Sequence, residues 1–175
     1  MEKVKIRKTH FVLVLITVMI FISLFIPYKQ ALVFIQVETN RVSAFLPMSI
    51  GETFKIKYTH SIHLSDVIES YEVVNQDVIR QFELEYENFG IGMPSEVTAE
   101  ETFEIKDGKY LIKNMKRDFP SFILRIGQVR ANHTLIYNKN SYPLSEFIEP
   151  GTRVKVQIKK LNVIQQLKGV GILAD

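Results

Sequence analysis

The sequence predicts an all-β domain, a single antiparallel β-sandwich or partly open barrel, preceded by one N-terminal transmembrane helix. Three observations lead there. An uncharged apolar run from Phe11 to Ile26, broken only by Thr17 and Ser23, follows the cationic Lys3, Lys5, Arg7 and Lys8. Beyond it the hydrophobic pattern changes from continuous to alternating, which is the period of a half-buried strand. Turn signals such as Asp107-Gly108 and Pro150-Gly151 then separate many short alternating stretches, the pattern of a sandwich or barrel.

The membrane element comes first in the chain. Extended to the uncharged window of residues 9–28, it is as long as a bilayer requires, since about 20 apolar residues at about 1.5 Å each span the hydrocarbon core. Basic residues before it, against only Lys29 and Arg41 soon after, orient the N-terminus to the cytoplasm and the rest outside. A cleaved signal peptide is the competing reading, because the run is longer than a usual signal core but short of a generous span. The exit Phe25-Ile26-Pro27-Tyr28-Lys29-Gln30 lacks the small residues of a cleavage site, and an uncleaved signal anchor is favoured. The expected organisation is a basic flank over residues 1–8, the anchor over 9–28 and an extracytoplasmic domain over 29–175, in a single-pass protein of the cell membrane.

Composition narrows the function classes. Of 22 Lys and Arg against 19 Asp and Glu, four bases and one acid lie in the first ten residues, so the net charge of +3 belongs to that flank. The basic balance is thereby explained by membrane orientation, and nucleic acid is set aside as a partner. The chain has no cysteine, which excludes disulfides, thiolate chemistry and cysteine-bound metal.

The strands follow in order. Residues Ala31 to Glu38 are expected to form a first strand near the membrane. In Thr53 to Tyr58 the apolar Phe54, Ile56 and Tyr58 share one face and Lys55 and Lys57 the other; in Phe82 to Glu87 the apolar set is again even-numbered, with three carboxylates outside. These outer faces are complementary in charge. Asp107-Gly108 between Phe103–Lys106 and Lys109–Ile112 marks a two-residue hairpin, since both residues tolerate positive φ. Phe122 to Val129 and His133 to Tyr137 are expected to pair around Arg130-Ala131-Asn132, and Thr152 to Leu161 to place Val154, Val156 and Ile158 inward. An irregular loop is expected from Asn88 to Glu100, with short helices at Leu144–Ile148 and Asn162–Gly169.

The densest polar cluster is Tyr58-Thr59-His60-Ser61-Ile62-His63-Leu64-Ser65-Asp66, followed by Glu69, Tyr71 and Glu72. Three chemistries compete for it. His60, His63, Asp66 and Glu69 are residue types that suit zinc or manganese, or acid–base hydrolysis, but positions three apart on a strand face opposite sides. Ser61 with His60, His63 or His133 supplies a nucleophile and a base, without any nucleophile-elbow pattern. In the third reading His60 continues the inward phase of Phe54, Ile56 and Tyr58, while Glu69 is in phase with Val67, Tyr71 and Val73. Two inward ionisable groups are costly unless satisfied, and a shared hydrogen bond is the simplest solution, either as a buried clasp or as the floor of a ligand pocket. Gly90 and Gly92 let the backbone approach whatever occupies it. Arg125 is a candidate for bidentate contact with a carboxylate ligand, or a solvated outer-face residue, and His133 divides equally between surface and site.

Taken together, Tyr58-Thr59-His60-Ser61, Val67-Ile68-Glu69-Ser70-Tyr71, Phe89-Gly90-Ile91-Gly92-Met93-Pro94, Arg125, His133 and Pro150-Gly151 resemble the bacterial domain of unknown function 1850 family, over about Thr53 to Lys159. The most specific piece is Tyr-x-His-Ser with a glutamate eight positions after the serine. The resemblance implies a small exported or anchored protein, encoded near tripartite periplasmic (TRAP) transporters of the TAXI type, and carries no assigned activity. The resulting expectation is a non-catalytic accessory or ligand-sensing module beside a TRAP permease or its solute-binding protein. Its ligand residues would be Tyr58, His60, Ser61, Glu69, Tyr71, Gly90, Gly92, Pro94, Arg125 and His133, without cofactor or metal. The alternative is an envelope hydrolase built on His60, His63, Asp66 and Glu69.

Overall fold

A computed structural model describes residues 2–60, 64–87, 98, 100–127 and 131–173, with the backbone alone over 2–9. Helix α1 (Glu2–Ser23) leads through a short turn into β1 (Lys29–Gln36), β2 (Val42–Pro47), β3 (Thr53–Thr59), β4 (Asp66–Val73) and β5 (Ile79–Tyr86). Then come β6 (Thr102–Lys106), β7 (Lys109–Phe119), β8 (Phe122–Arg125), β9 (Thr134–Tyr137) and β10 (Asn140–Pro143), a 3-10 turn at Leu144–Glu146, β11 (Arg153–Leu161), α2 (Val163–Lys168) and β12 (Val170–Gly171). The strands form two sheets in the orders β12-β2-β1-β11-β8 and β10-β9-β3-β4-β5-β7-β6. Pairing is antiparallel except where β12 joins β2. The expected sandwich is therefore present.

Its main core lies between the sheets. Leu32 and Phe34 of β1 and Val154, Val156 and Ile158 of β11 meet Phe54, Ile56, Tyr71 and Leu135 from the other sheet, all essentially sealed from solvent. Burying each large apolar side chain contributes about 1.5–3 kcal/mol. The unbroken run Ala31-Leu32-Val33-Phe34-Ile35 reflects burial of β1 on both faces, since Ala31, Val33 and Ile35 join Phe45 and Leu161 in a separate cluster. Helix α2 lies against β2, where its C-terminal Gly169 approaches so closely that a Cβ would come within 2.8 Å of Val42 Cγ1. The helix starts on an Asn162 cap that exchanges hydrogen bonds with Gln165, a full capping box. A third cluster, Val67, Leu84, Tyr86, Ile112 and Met115, occupies the β4–β5–β7 part of the larger sheet.

Turn chemistry matches expectation at Asp107 (φ 53°) and Gly108 (φ 78°), which close the β6–β7 hairpin with both residues left-handed. The 3-10 turn and α2 occupy the two stretches expected to be helical.

Two expectations require correction. The strands Phe122–Arg125 and Thr134–Tyr137 do not pair: β8 lies against β11 in one sheet, and β9 between β10 and β3 in the other. The crossing is fixed at Ile126, whose N–H donates to Thr152 and whose carbonyl accepts from Gly151, so β8 is held to the lead-in of β11. Second, the even-numbered phase of Phe82, Leu84 and Tyr86 is interrupted. Gln81 is inward and buried, Phe82 is the extra residue of a bulge opposite the Ser70–Tyr71 step, and Leu84 and Tyr86 resume inward. The strands with complementary outer faces, β3 and β5, are separated by β4. Their charges nevertheless meet across the small Ser70: Lys55 Nζ is 3.6 Å from Glu83 Oε1, and Ser70 Oγ donates to the same oxygen at 3.2 Å.

Among the described residues, no helix is long and apolar enough to cross a membrane. The side chains of α1 from Phe11 to Ile22 are, Thr17 apart, large apolar groups about half or more exposed, Phe11 at 69% and Ile16 at 48%.

Candidate functional site

The inner face of the larger sheet carries one acidic group in apolar surroundings. Glu69 is register-paired with Ile56 on one side and Leu84 on the other, both buried, and is itself half-buried. Two residues along the same strand and on the same face, Tyr71 donates its hydroxyl to Glu69 Oε2 at 2.8 Å. The Tyr71 ring cannot swing away. It is stacked between Phe54 (5.2 Å, 16°) and Phe122 (5.1 Å, 13°), one ring from each sheet, so packing of the sandwich aims the hydroxyl.

Tyr58 and His133 complete the group. Tyr58, on the same face of β3, packs against both the main core and the third cluster. Its ring lies 5.4 Å from that of His133, which immediately precedes β9. The Gly127 N–H donates to His133 Nδ1 at 3.1 Å, which leaves the neutral imidazole's proton on Nε2. Among the described residues no side-chain nitrogen or oxygen sealed from solvent lacks a hydrogen bond. Among the described residues Glu69 Oε1, the Tyr58 hydroxyl and His133 Nε2 have no hydrogen-bond partner, and none of the three is both sealed from solvent and unsatisfied.

Electrostatics follow from this placement. Burial raises the Glu69 carboxyl above the usual range, against the opposing pull of the Tyr71 hydrogen bond. Burial, reinforced by the Glu69 charge, pushes Tyr58 up to about 12 and Tyr71 higher still. Burial alone lowers His133 below its ordinary 6.5. At neutral pH the set is two phenols, an imidazole and a carboxyl group, disposed as hydrogen-bonding partners. With both phenols held this far from ionisation, neither tyrosine is activated as a nucleophile or base.

Four of the residues singled out in the sequence are thus together: Tyr58, Glu69, Tyr71 and His133. His60 follows the end of β3, where its N–H donates to the Ser65 carbonyl and its own carbonyl accepts from the Leu64 N–H. Tyr71 is a donor to Glu69 Oε2 that phase alone did not reveal. Asp66 lies on the opposite face of β4 from Glu69 and pairs with Lys57 at 2.6 Å, which separates two of the four groups suggested for a metal or hydrolytic centre. Among the described residues no cluster of three or more His, Asp or Glu is arranged to hold a metal. Arg125 is exposed at the end of β8 in the other sheet, register-paired with Arg153, and is not part of the group. Ser61, His63, Gly90, Gly92 and Pro94, with most of the loop expected at 88–100, lie outside the described residues.

Sequence reasoning missed Phe122 and Gly127. Neither carries a polar side chain, and their contributions, a stacking ring and a backbone N–H, arise only from the crossing of the chain between sheets.

The family described as Domain of unknown function (DUF1850) matches residues 54–144, a span that contains Tyr58, Glu69, Tyr71 and His133. No curated protein and no solved structure matches the chain.

Proposed function

The chain belongs to the DUF1850 family, and from that membership and the geometry together we propose a non-catalytic, membrane-anchored, extracytoplasmic module that receives a small ligand on the Tyr58–Glu69–Tyr71–His133 face, beside a TRAP-type solute transporter. The observation that carries the ligand part is a half-buried carboxyl in a mainly apolar face, with one oxygen fixed by Tyr71 and the other without a hydrogen bond among the described residues. Such a group costs stability unless a partner satisfies it. Its raised affinity for a proton is the sign of that cost.

The anchor is supported by the exposed apolar surface of α1. A series of large apolar side chains this long is not left in water by a folded protein, and lipid is the environment that matches it on all sides. The basic flank before it orients the sandwich outward. Association with a transporter rests on the resemblance described from the sequence, which implies a gene beside TRAP systems of the TAXI type.

Two measurements test this. The full-length tagged protein, extracted in mild detergent, is expected to bring down the permease or solute-binding subunit of a tripartite carrier, and deletion of its gene to lower uptake of that carrier's solute. Recovery of no carrier subunit together with unchanged uptake would overturn the transporter assignment.

A further inference from the structure

The open atoms of the Glu69 face differ in hydrogen-bonding sense, and that difference selects a ligand. Glu69 Oε1 only accepts when ionised; His133 Nε2 only donates, because Gly127 occupies Nδ1; and the hydroxyl of Tyr58, on the strand between theirs, does either. Among the described residues the carboxyl also has no cation paired with it. The lysines and arginines of β3, β5 and β7 are each matched to a different carboxylate. An anionic ligand would meet an acceptor carboxylate with no compensating charge and would be repelled. A cation would supply what the face lacks.

We infer that this face recognises a small organic ammonium compound bearing an oxygen next to the amine, its N–H groups received by Glu69 Oε1 and its oxygen accepting from His133 Nε2. The inference rests on the reading of this face as a ligand site and names the ligand's chemical class. Tyr71 positions the carboxylate and does not itself form a cation cage, because both faces of its ring are already covered by Phe54 and Phe122. The Tyr58 ring is the wall beside which the carbon skeleton lies. Bound ammonium would also hold Glu69 ionised, offsetting the burial that now favours its proton.

The test uses the full chain in detergent micelles with carbon-13 in the glutamate carboxyls. At neutral pH it is titrated separately with ethanolamine, n-propylamine, ethanediol and acetate. Ethanolamine is expected to shift the Glu69 carboxyl and the Tyr58 and His133 ring signals saturably, and propylamine to bind more weakly for want of the oxygen. Glu69→Gln, which keeps shape and removes charge, is expected to weaken ethanolamine by about tenfold or more, the loss of one charge-assisted hydrogen bond. A variant melting like the parent excludes a folding defect. Saturation by acetate or ethanediol in place of the amines would overturn the ammonium class while leaving a ligand face intact. The absence of a saturable shift with all four probes would overturn the inference and the ligand-face reading together.

Discussion

Replacing Tyr71 by phenylalanine removes one atom from the centre of the proposed site and leaves the packing in place. The ring keeps its stack between Phe54 and Phe122, and only the hydroxyl that donates to Glu69 Oε2 at 2.8 Å is lost. A hydrogen bond to an ionised group contributes about 1.5–3 kcal/mol and one to a neutral group about 0.5–1.5 kcal/mol. The variant is therefore expected to lose more stability where Glu69 is ionised than where it is protonated. For a chain of this size each kcal/mol moves the melting temperature by about 2–4 °C. The expected loss is about 3–12 °C above the Glu69 titration and about 1–6 °C below it. The same loss is visible as proton binding. Tyr71 holds the Glu69 value down against burial, so its removal raises that value further. In the parent, the native carboxyl already binds its proton more tightly than the unfolded chain does. Its contribution to stability is complete below the ordinary glutamate value and is lost as pH rises through the elevated native one. In Tyr71→Phe that loss extends to higher pH. Thermal melts of the full chain in micelles from acid to neutral pH, with carbon-13 titration of the Glu69 carboxyl, measure both effects. An unmoved or lowered Glu69 titration, or an equal loss at both ends of the pH range, would refute the reasoning.

Four further outcomes follow from the structure. Nitrogen-15 spectra of His133 at neutral pH are expected to show the proton on Nε2, with a titration midpoint below the ordinary histidine value of 6.5. Because that native value is lowered, the stability His133 confers is present above 6.5 and declines as pH falls through the native value, and His133→Gln should flatten this part of the stability profile. Gly108→Ala places a side chain at φ 78° and is expected to cost about 1–2 kcal/mol by denaturant unfolding, with β-sheet circular dichroism unchanged. Lys55→Ala removes a partly exposed pairing to Glu83 across Ser70, and the unfolding midpoint is expected to fall by no more than about 1 kcal/mol equivalent.

Much of this architecture is written in short-range pattern. Alternation alone identified the inward set Phe54, Ile56 and Tyr58 of β3, and the continuous run in β1 reflects a strand buried on both faces. The inward direction of Glu69 follows from its phase with Val67 and Tyr71. Its hydrogen-bond partner does not, because phase places Tyr71 beside it without fixing the hydroxyl's aim, which the Phe54 and Phe122 rings impose from two different sheets. Pairing partners were equally hidden. Alternation states which way a strand faces but not what lies next to it, so β8 and β9 could be joined on paper although they belong to different sheets. The bulge at Phe82 escaped because three even-numbered apolar residues form an uninterrupted pattern in the sequence. The β9–β10 turn escaped for the opposite reason. Its left-handed pair is Asn138 (φ 49°) and Lys139 (φ 66°), and lysine is not a residue that announces positive φ.

The central claim is an outward-facing sandwich tethered by α1, and the absence of cysteine makes it directly measurable. Single substitutions Ile105→Cys, at an exposed position of β6, and Glu2→Cys, at the start of α1, are treated in intact cells with a membrane-impermeant maleimide. The account requires labelling of Ile105→Cys without permeabilisation and of Glu2→Cys only after it, with both proteins retained in the membrane fraction after alkaline extraction. Labelling of Glu2→Cys from outside, protection of Ile105→Cys in intact cells, or release of the full-length chain from the membrane would contradict it.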